Sequence, residues 1–220
     1  MSEILIKVRG SHSVEVPPEI GVVHAEVATA GATPEAAMER LQQDVRRLRA
    51  DLERLSRDDV VDRFVLQRAR TWVTEHPAPP EHTADEWLSV VQRASIGLRV
   101  EFTDFEGMAA WVGHSPVAYG VGVNGTSWRL TKETRLSTER AVRREAVRQA
   151  KVRAQDYADA LDLGPVSVRS INDVGVSRDV AYASMPVGAD MEMAPDLAFS
   201  PDDITVYAEV EAEFAVGPSV

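Results

Sequence analysis

At 220 residues and 44% apolar side chains, the chain is long enough to bury roughly 70% of its unfolded surface, which excludes global disorder. The absence of cysteine removes disulfides, thiolate metal sites and cysteine nucleophiles together. A formal net charge of −11 repels phosphate backbones and anionic membrane surfaces, so no nucleic-acid partner is expected.

Ile4, Ile6 and Val8 alternate with Lys7 and Arg9 up to Gly10, a strand that Pro17-Pro18 ends. The same amino terminus has no continuous apolar stretch of signal-peptide length, and nowhere do about 18 apolar residues run together. The expectation is a cytoplasmic protein without membrane insertion. Val23, Ala25 and Val27 alternate with His24 and Glu26 as a second strand. Thr33-Pro34-Glu35 reads as a helix start: a capping hydroxyl, a proline at the first helical position and a carboxylate at the positive end of the dipole. Ala37, Leu41, Val45, Leu48, Leu52 and Leu55 follow at steps of three and four, the stripe of a long amphipathic helix.

Residues 60–73 read as one strand, and the proline-rich TEHPAPPEHTADE after them as a loop. From Trp87, Leu88, Val90, Ala94, Ile96, Leu98, Val100 and Phe102 share one face of a long strand. Ser89, Arg93, Ser95, Arg99 and Glu101 share the other, expected to be exposed. A short helix is expected over 104–112, then a Gly/Ser/Pro turn. A second long helix follows over about 138–162, ended by Gly164-Pro165. Val166, Val168 and Ile171 indicate a further strand, and 176–201 reads as irregular. Ile204, Val206, Ala208, Val210, Ala212, Phe214 and Val216 alternate without a miss. The fold class is α+β: an antiparallel-rich sheet with two long helices and one short helix on one face. Residues 1–216 form one domain or two intertwined subdomains, with 217–220 as a tail.

Gly120, Gly122 and Gly125 in YGVGVNG match G-x-G-x-x-G, the dinucleotide cradle. That cradle ends a buried parallel strand and opens a helix facing the pyrophosphate. Here the glycines run into the extended Thr-Ser-Trp-Arg-Leu. Val117, Tyr119, Val121 and Val123 alternate with small residues, as in a strand under a closely packed helix, and no cofactor is expected.

The second long helix, TERAVRREAVRQAKVRAQDYADALDLG, repeats alanine at 146, 150, 154 and 158, a stripe suited to close packing on a sheet. Its arginines are balanced by carboxylates. This alanine ladder with its L-x-L-G-P-V close resembles the SIMPL-domain family. The opening IKVRGSHSVEVPPEIGVVHAEVATAGATPEAA, the glycine-rich VAYGVGVNGTSWRL and the final ITVYAEVEAEFAV are similar to that family's beginning, middle strand and closing strand. The family's second opening glycine is replaced here by Ser11-His12, and the Pro-Gly before its last strand by Ser200-Pro201-Asp202. The resemblance implies no catalytic residues. It implies binding or self-assembly, since some members form ring or channel-like oligomers and others are described as signalling adaptors.

Three residue groups carry candidate chemistry. His76 and His82 share a loop with Glu75, Glu81 and Asp85 and are candidates for a divalent metal, although their spacing fits no compact helical motif. His24 and Glu26 project from one strand face as a candidate acid–base pair, or simply as its polar face. Met185, Met191 and Met193, in the irregular segment, suit adaptable contact with a partner or a neighbouring subunit. There is no G-x-S-x-G, H-E-x-x-H or Walker loop, so the expectation is a non-enzymatic homo-oligomer or partner-binding protein. The alternative is a small-ligand or metal-binding protein, with an enzyme third.

Overall fold

The computed structural model describes residues 4–77, 88–178, 182–183 and 201–216. In chain order the elements of the first half are β1 (Ile4–Val16), β2 (Ile20–Gly31), α1 (Pro34–Arg57), β3 (Val61–Leu66), β4 (Arg70–Pro77) and β5 (Leu88–Phe102). Then come α2 (Phe105–Tyr119), β6 (Val121–Arg129), α3 (Lys132–Ala160), β7 (Val166–Arg178), β8 (Tyr182–Ala183) and β9 (Ile204–Val216). The fold is α+β with antiparallel pairing, and its strands divide between two sheets, ordered β1-β9-β7 and β3-β5-β2-β6-β8, with β4 also on β5. Two compact units result. One draws on Met1–Pro18, Arg129–Ala181 and Asp202–Val220; the other on Glu19–Trp128 and Tyr182–Pro201.

In the three-stranded unit, β9 is central and buries all seven of its predicted inward residues, from Ile204 to Val216. α3 lies chiefly over β1 and β9. Its alanine ladder is fully buried, and it meets β1 at Gly10, where an added Cβ would sit 2.0 Å from the Ala146 carbonyl oxygen and 2.5 Å from the Ala150 nitrogen. Glycine on the strand and alanine on the helix therefore let two backbones touch. Cross-strand ion pairs line the opposite face of the sheet: Lys7 with Glu213 at 3.4 Å, and Arg9 with Glu211 at 2.7 Å.

The larger unit packs α1 and α2 on its sheet. Thr33 caps α1, its hydroxyl accepting from the Ala36 N–H at 3.2 Å, and Ala37, Leu41, Leu48 and Leu52 are buried. α2 presses on β2 at Gly21, where an added Cβ would lie 2.4 Å from Met108 Sδ. Phe102 and Trp111 rings sit 5.5 Å apart in the same core.

Several expectations need correction. The strand over 60–73 is two strands, interrupted where the Gln67 N–H donates to the Gly97 carbonyl at 2.9 Å and the Gln67 side chain lies on Gly97. β4 continues to Pro77, into the expected loop. The short helix does not stop at 112. Pro116 is accommodated in its last turn, and the end is Gly120, which adopts the left-handed conformation (φ 66°) that favours glycine at this position. The apparent alternation of Val117 and Tyr119 is thus helical. α3 starts at Lys132, capped by Thr131, six residues ahead of its expected start. β7 extends to Arg178. On β5, Ser95 and Glu101 are buried rather than exposed, Glu101 bonding Arg99 at 2.9 Å.

Candidate functional site

Gly120 closes a helix, and Gly122 and Gly125 belong to the following strand. The order is helix then strand, the reverse of what a pyrophosphate cradle requires. The glycine motif is a helix stop followed by a strand that lies between β2 and β8 in the larger sheet.

The predicted polar residues of β2 each meet a different partner. His24 Nε2 lies 3.4 Å from Ser127 Oγ on β6, whereas Glu26 faces Arg70 at 3.8 Å. A hydroxyl and an imidazole at that separation sit at the long end of hydrogen bonding, and the carboxylate that would orient the imidazole is engaged elsewhere. Ser127 was not a sequence candidate. It could be found only through the pairing of β6 with β2.

Among the described residues no group of three His, Asp or Glu side chains is placed to hold a metal ion. His76 falls at the end of β4, aligned with Ser89 of β5, and its side chain is outside the described residues. His82, Met185, Met191 and Met193 lie outside the described residues altogether.

Among the described residues, the three-stranded unit carries two grooves. One of about 330 Å³ lies between the Lys7 and Arg9 side and Ser170 and Asn172. The other, of about 370 Å³, runs between β1 and α3 and is lined by His12, Val14, Ala141, Arg144, Glu145 and Arg148. Glu145 is held below the ordinary carboxylate range, first by a hydrogen bond from Gln149 and then by one from Arg148, with a smaller contribution from the positive field of His12. Lys7 and Arg9 in the first groove pair with Glu213 and Glu211, and Arg148 in the second pairs with Glu145.

The most distinctive surface is the outer edge of each sheet. β7 ends the order β1-β9-β7, and every residue from Ser167 to Gly175 is exposed. Val168 and Ile171 align with the inward-facing Phe214 and Ala212 of β9, so their apolar side chains are on the core side of the sheet. Yet α3 covers chiefly β1 and β9, and Val168, Ile171 and Val174 remain 57%, 50% and 53% exposed. On the larger sheet, β3 and β4 form the outer row beside β5, and Val65, Trp72 and Val73 are exposed there. A strand edge offers unpaired N–H and C=O groups, and these two edges add apolar side chains to them. The sequence signal for the first edge was the three-residue spacing of Val168, Ile171 and Val174, which breaks simple alternation.

The model of the SIMPL family, described as a protein of unknown function (DUF541), matches residues 6–214. Among curated proteins, none matches the chain. Among the described residues, no helix is long and apolar enough to cross a membrane.

Proposed function

The chain belongs to the SIMPL family, nearly its whole length being matched, and from that premise we propose that it acts by assembly, its copies joining along strand edges without chemistry of their own. The observation that carries this reading is β7. It is a 13-residue outer strand, about 44 Å long at roughly 3.4 Å per residue, with three large apolar side chains left open. Monomeric proteins protect such edges with charge, proline, cover or β-bulges, and β7 carries ladder shifts between Val168 and Ser170 and between Asp173 and Gly175. Between Ser167 and Gly175 the only charged residues are Arg169 and Asp173, and there is no proline. Addition of a strand from another chain satisfies the main-chain groups and covers the apolar side chains together.

A lysine introduced on this edge tests the reading. Ile171→Lys places a charge at an exposed position, so folding is retained while edge pairing is opposed. The expected result is a smaller particle with an unchanged circular-dichroism spectrum. A particle mass equal to that of the unmodified chain, for this variant and for Trp72→Lys on the β4 edge, would count against assembly through either edge.

A further inference from the structure

We propose that the groove between β1 and α3 binds a small anion carrying a phosphate group, a role independent of assembly. His12 and Val14 of β1 line it with Ala141, Arg144, Glu145 and Arg148 of α3, around a volume of about 370 Å³. That volume falls at the lower end of small-molecule sites, roughly 300–1,000 Å³. Gly10 touches α3, and side chains two and four residues further along a strand share its face. His12 and Val14 are therefore on the side that the helix covers. Arg144 and Arg148 stand one helical turn apart on α3, so their side chains are neighbours. The seating of α3 on Gly10 thus brings an imidazole and two guanidinium groups to one groove.

Positive charge is concentrated here against the trend of the chain. Residues 140–151 hold four arginines and a lysine against a single carboxylate, in a protein of net charge −11. Asp156 and Asp159, which help to balance α3 as a whole, lie beyond this stretch. Arg140, Arg144 and Arg148 follow one another at four-residue steps, and like charges at that spacing destabilise a helix. A bound anion removes that penalty. Among the described residues Arg144 has no carboxylate partner. Glu145 offsets only one of the two guanidinium charges: its Oε2 accepts from Arg148 Nη1 at 3.1 Å and its Oε1 from Gln149 Nε2 at 3.0 Å. That pair orients Arg148 through one nitrogen and leaves its other N–H groups for a second acceptor. A carboxylate fills one guanidinium fork, whereas two forks and an imidazole suit a group with more acceptor oxygens, a phosphate. Val14 and Ala141 add an apolar wall for the organic part of a phosphate ester.

Isothermal titration of the full chain with inorganic phosphate, glycerol phosphate and succinate, at near-physiological salt, tests the site. Saturable binding of both phosphates, one per chain and tighter than succinate, is the expected result. A tighter fit for the ester would identify a phosphorylated organic molecule as the ligand; equal affinity would identify the phosphate group alone. Arg144→Ala is expected to weaken binding about tenfold, the loss of one charged hydrogen-bond donor. Arg144→Lys should recover only part of that loss, because an ammonium lacks the planar fork. Arg140→Ala removes the same charge from the same helical row but outside the groove lining. It should change affinity less than about twofold once salt screens it. Arg140 and Arg144 are exposed, so these variants should keep the parent's circular-dichroism spectrum. Equal losses for Arg140→Ala and Arg144→Ala would reduce the effect to diffuse attraction by a basic helix and overturn the groove site. Succinate binding as tightly as phosphate would overturn the phosphate assignment, and no saturable binding at millimolar concentrations would overturn the proposal altogether.

Discussion

Adding one methyl group at Gly10 should unseat α3. At an ordinary strand position alanine is better than glycine by up to about 1 kcal/mol, because it restricts the unfolded chain and carries a side chain that packs. Gly10 is paired in β1 with Val210, so backbone conformation alone predicts a gain. The surroundings reverse the sign. The new Cβ would lie 2.0 Å from Ala146 O, 2.5 Å from Ala150 N and 2.7 Å from Ala150 Cβ. Two of these are main-chain atoms, and the third is the first atom of its side chain, so none moves aside by rotation. Relief to an ordinary contact requires the helix to lift from the strand. That loosens the buried alanines at 146, 150, 154 and 158 together. Overpacking of a core costs about 1–3 kcal/mol, and a site without a rotating neighbour belongs at or beyond the upper end. At about 2–4 °C per kcal/mol for a chain of this size, Gly10→Ala should melt on the order of 6–12 °C lower by far-UV circular dichroism. Gly122→Ala is the control, because its new Cβ would meet nothing nearer than Glu26 O at 3.7 Å. It should match the parent or gain up to about 1 kcal/mol, as at an ordinary strand position. A Gly10→Ala variant as stable as the parent would refute the claim that backbone contact seats this helix.

Leu48 is fully buried on the α1 stripe, so Leu48→Ala should cost about 2–5 kcal/mol in urea unfolding; a loss below about 1 kcal/mol would mean that α1 is not seated on the sheet as described. Thr33→Ala removes the hydroxyl that caps α1 and should cost about 1 kcal/mol by the same measurement. Glu145 titrates below its ordinary value of 4.5 through Gln149, Arg148 and His12. A depressed folded-state value means that its contribution is present above 4.5 and is lost as pH falls through the lower folded value. Glu145→Gln should therefore flatten the stability profile below that pH and leave its alkaline side unchanged; an identical acid limb in both proteins would contradict this.

Legibility in the sequence followed how local each signal was. β9 could be read from its own residues, because strict alternation with a buried partner face leaves one phase available. α1 was equally plain, since its cap, its first-turn proline and its stripe all agree. α2 was cut short because Gly113, Ser115 and Pro116 resemble a turn, whereas the decisive stop is the left-handed Gly120. The break between β3 and β4 depends on Gln67 reaching Gly97, thirty residues away in sequence, and local pattern carries no trace of it. The same limit applies to the edges. That β7 is outermost follows from β1 and β9, at opposite ends of the chain, pairing with each other. The opening glycine of the family resemblance has a physical reason that only the folded chain supplies: it is the point where β1 touches α3.

The central claim is assembly, and light scattering at the exit of a sizing column, with and without chelator, tests it most directly. The account predicts a discrete mass that is a whole multiple of 24.1 kDa, unchanged by chelator. A single 24.1 kDa species in both runs, maintained at the highest concentration loaded, would contradict it.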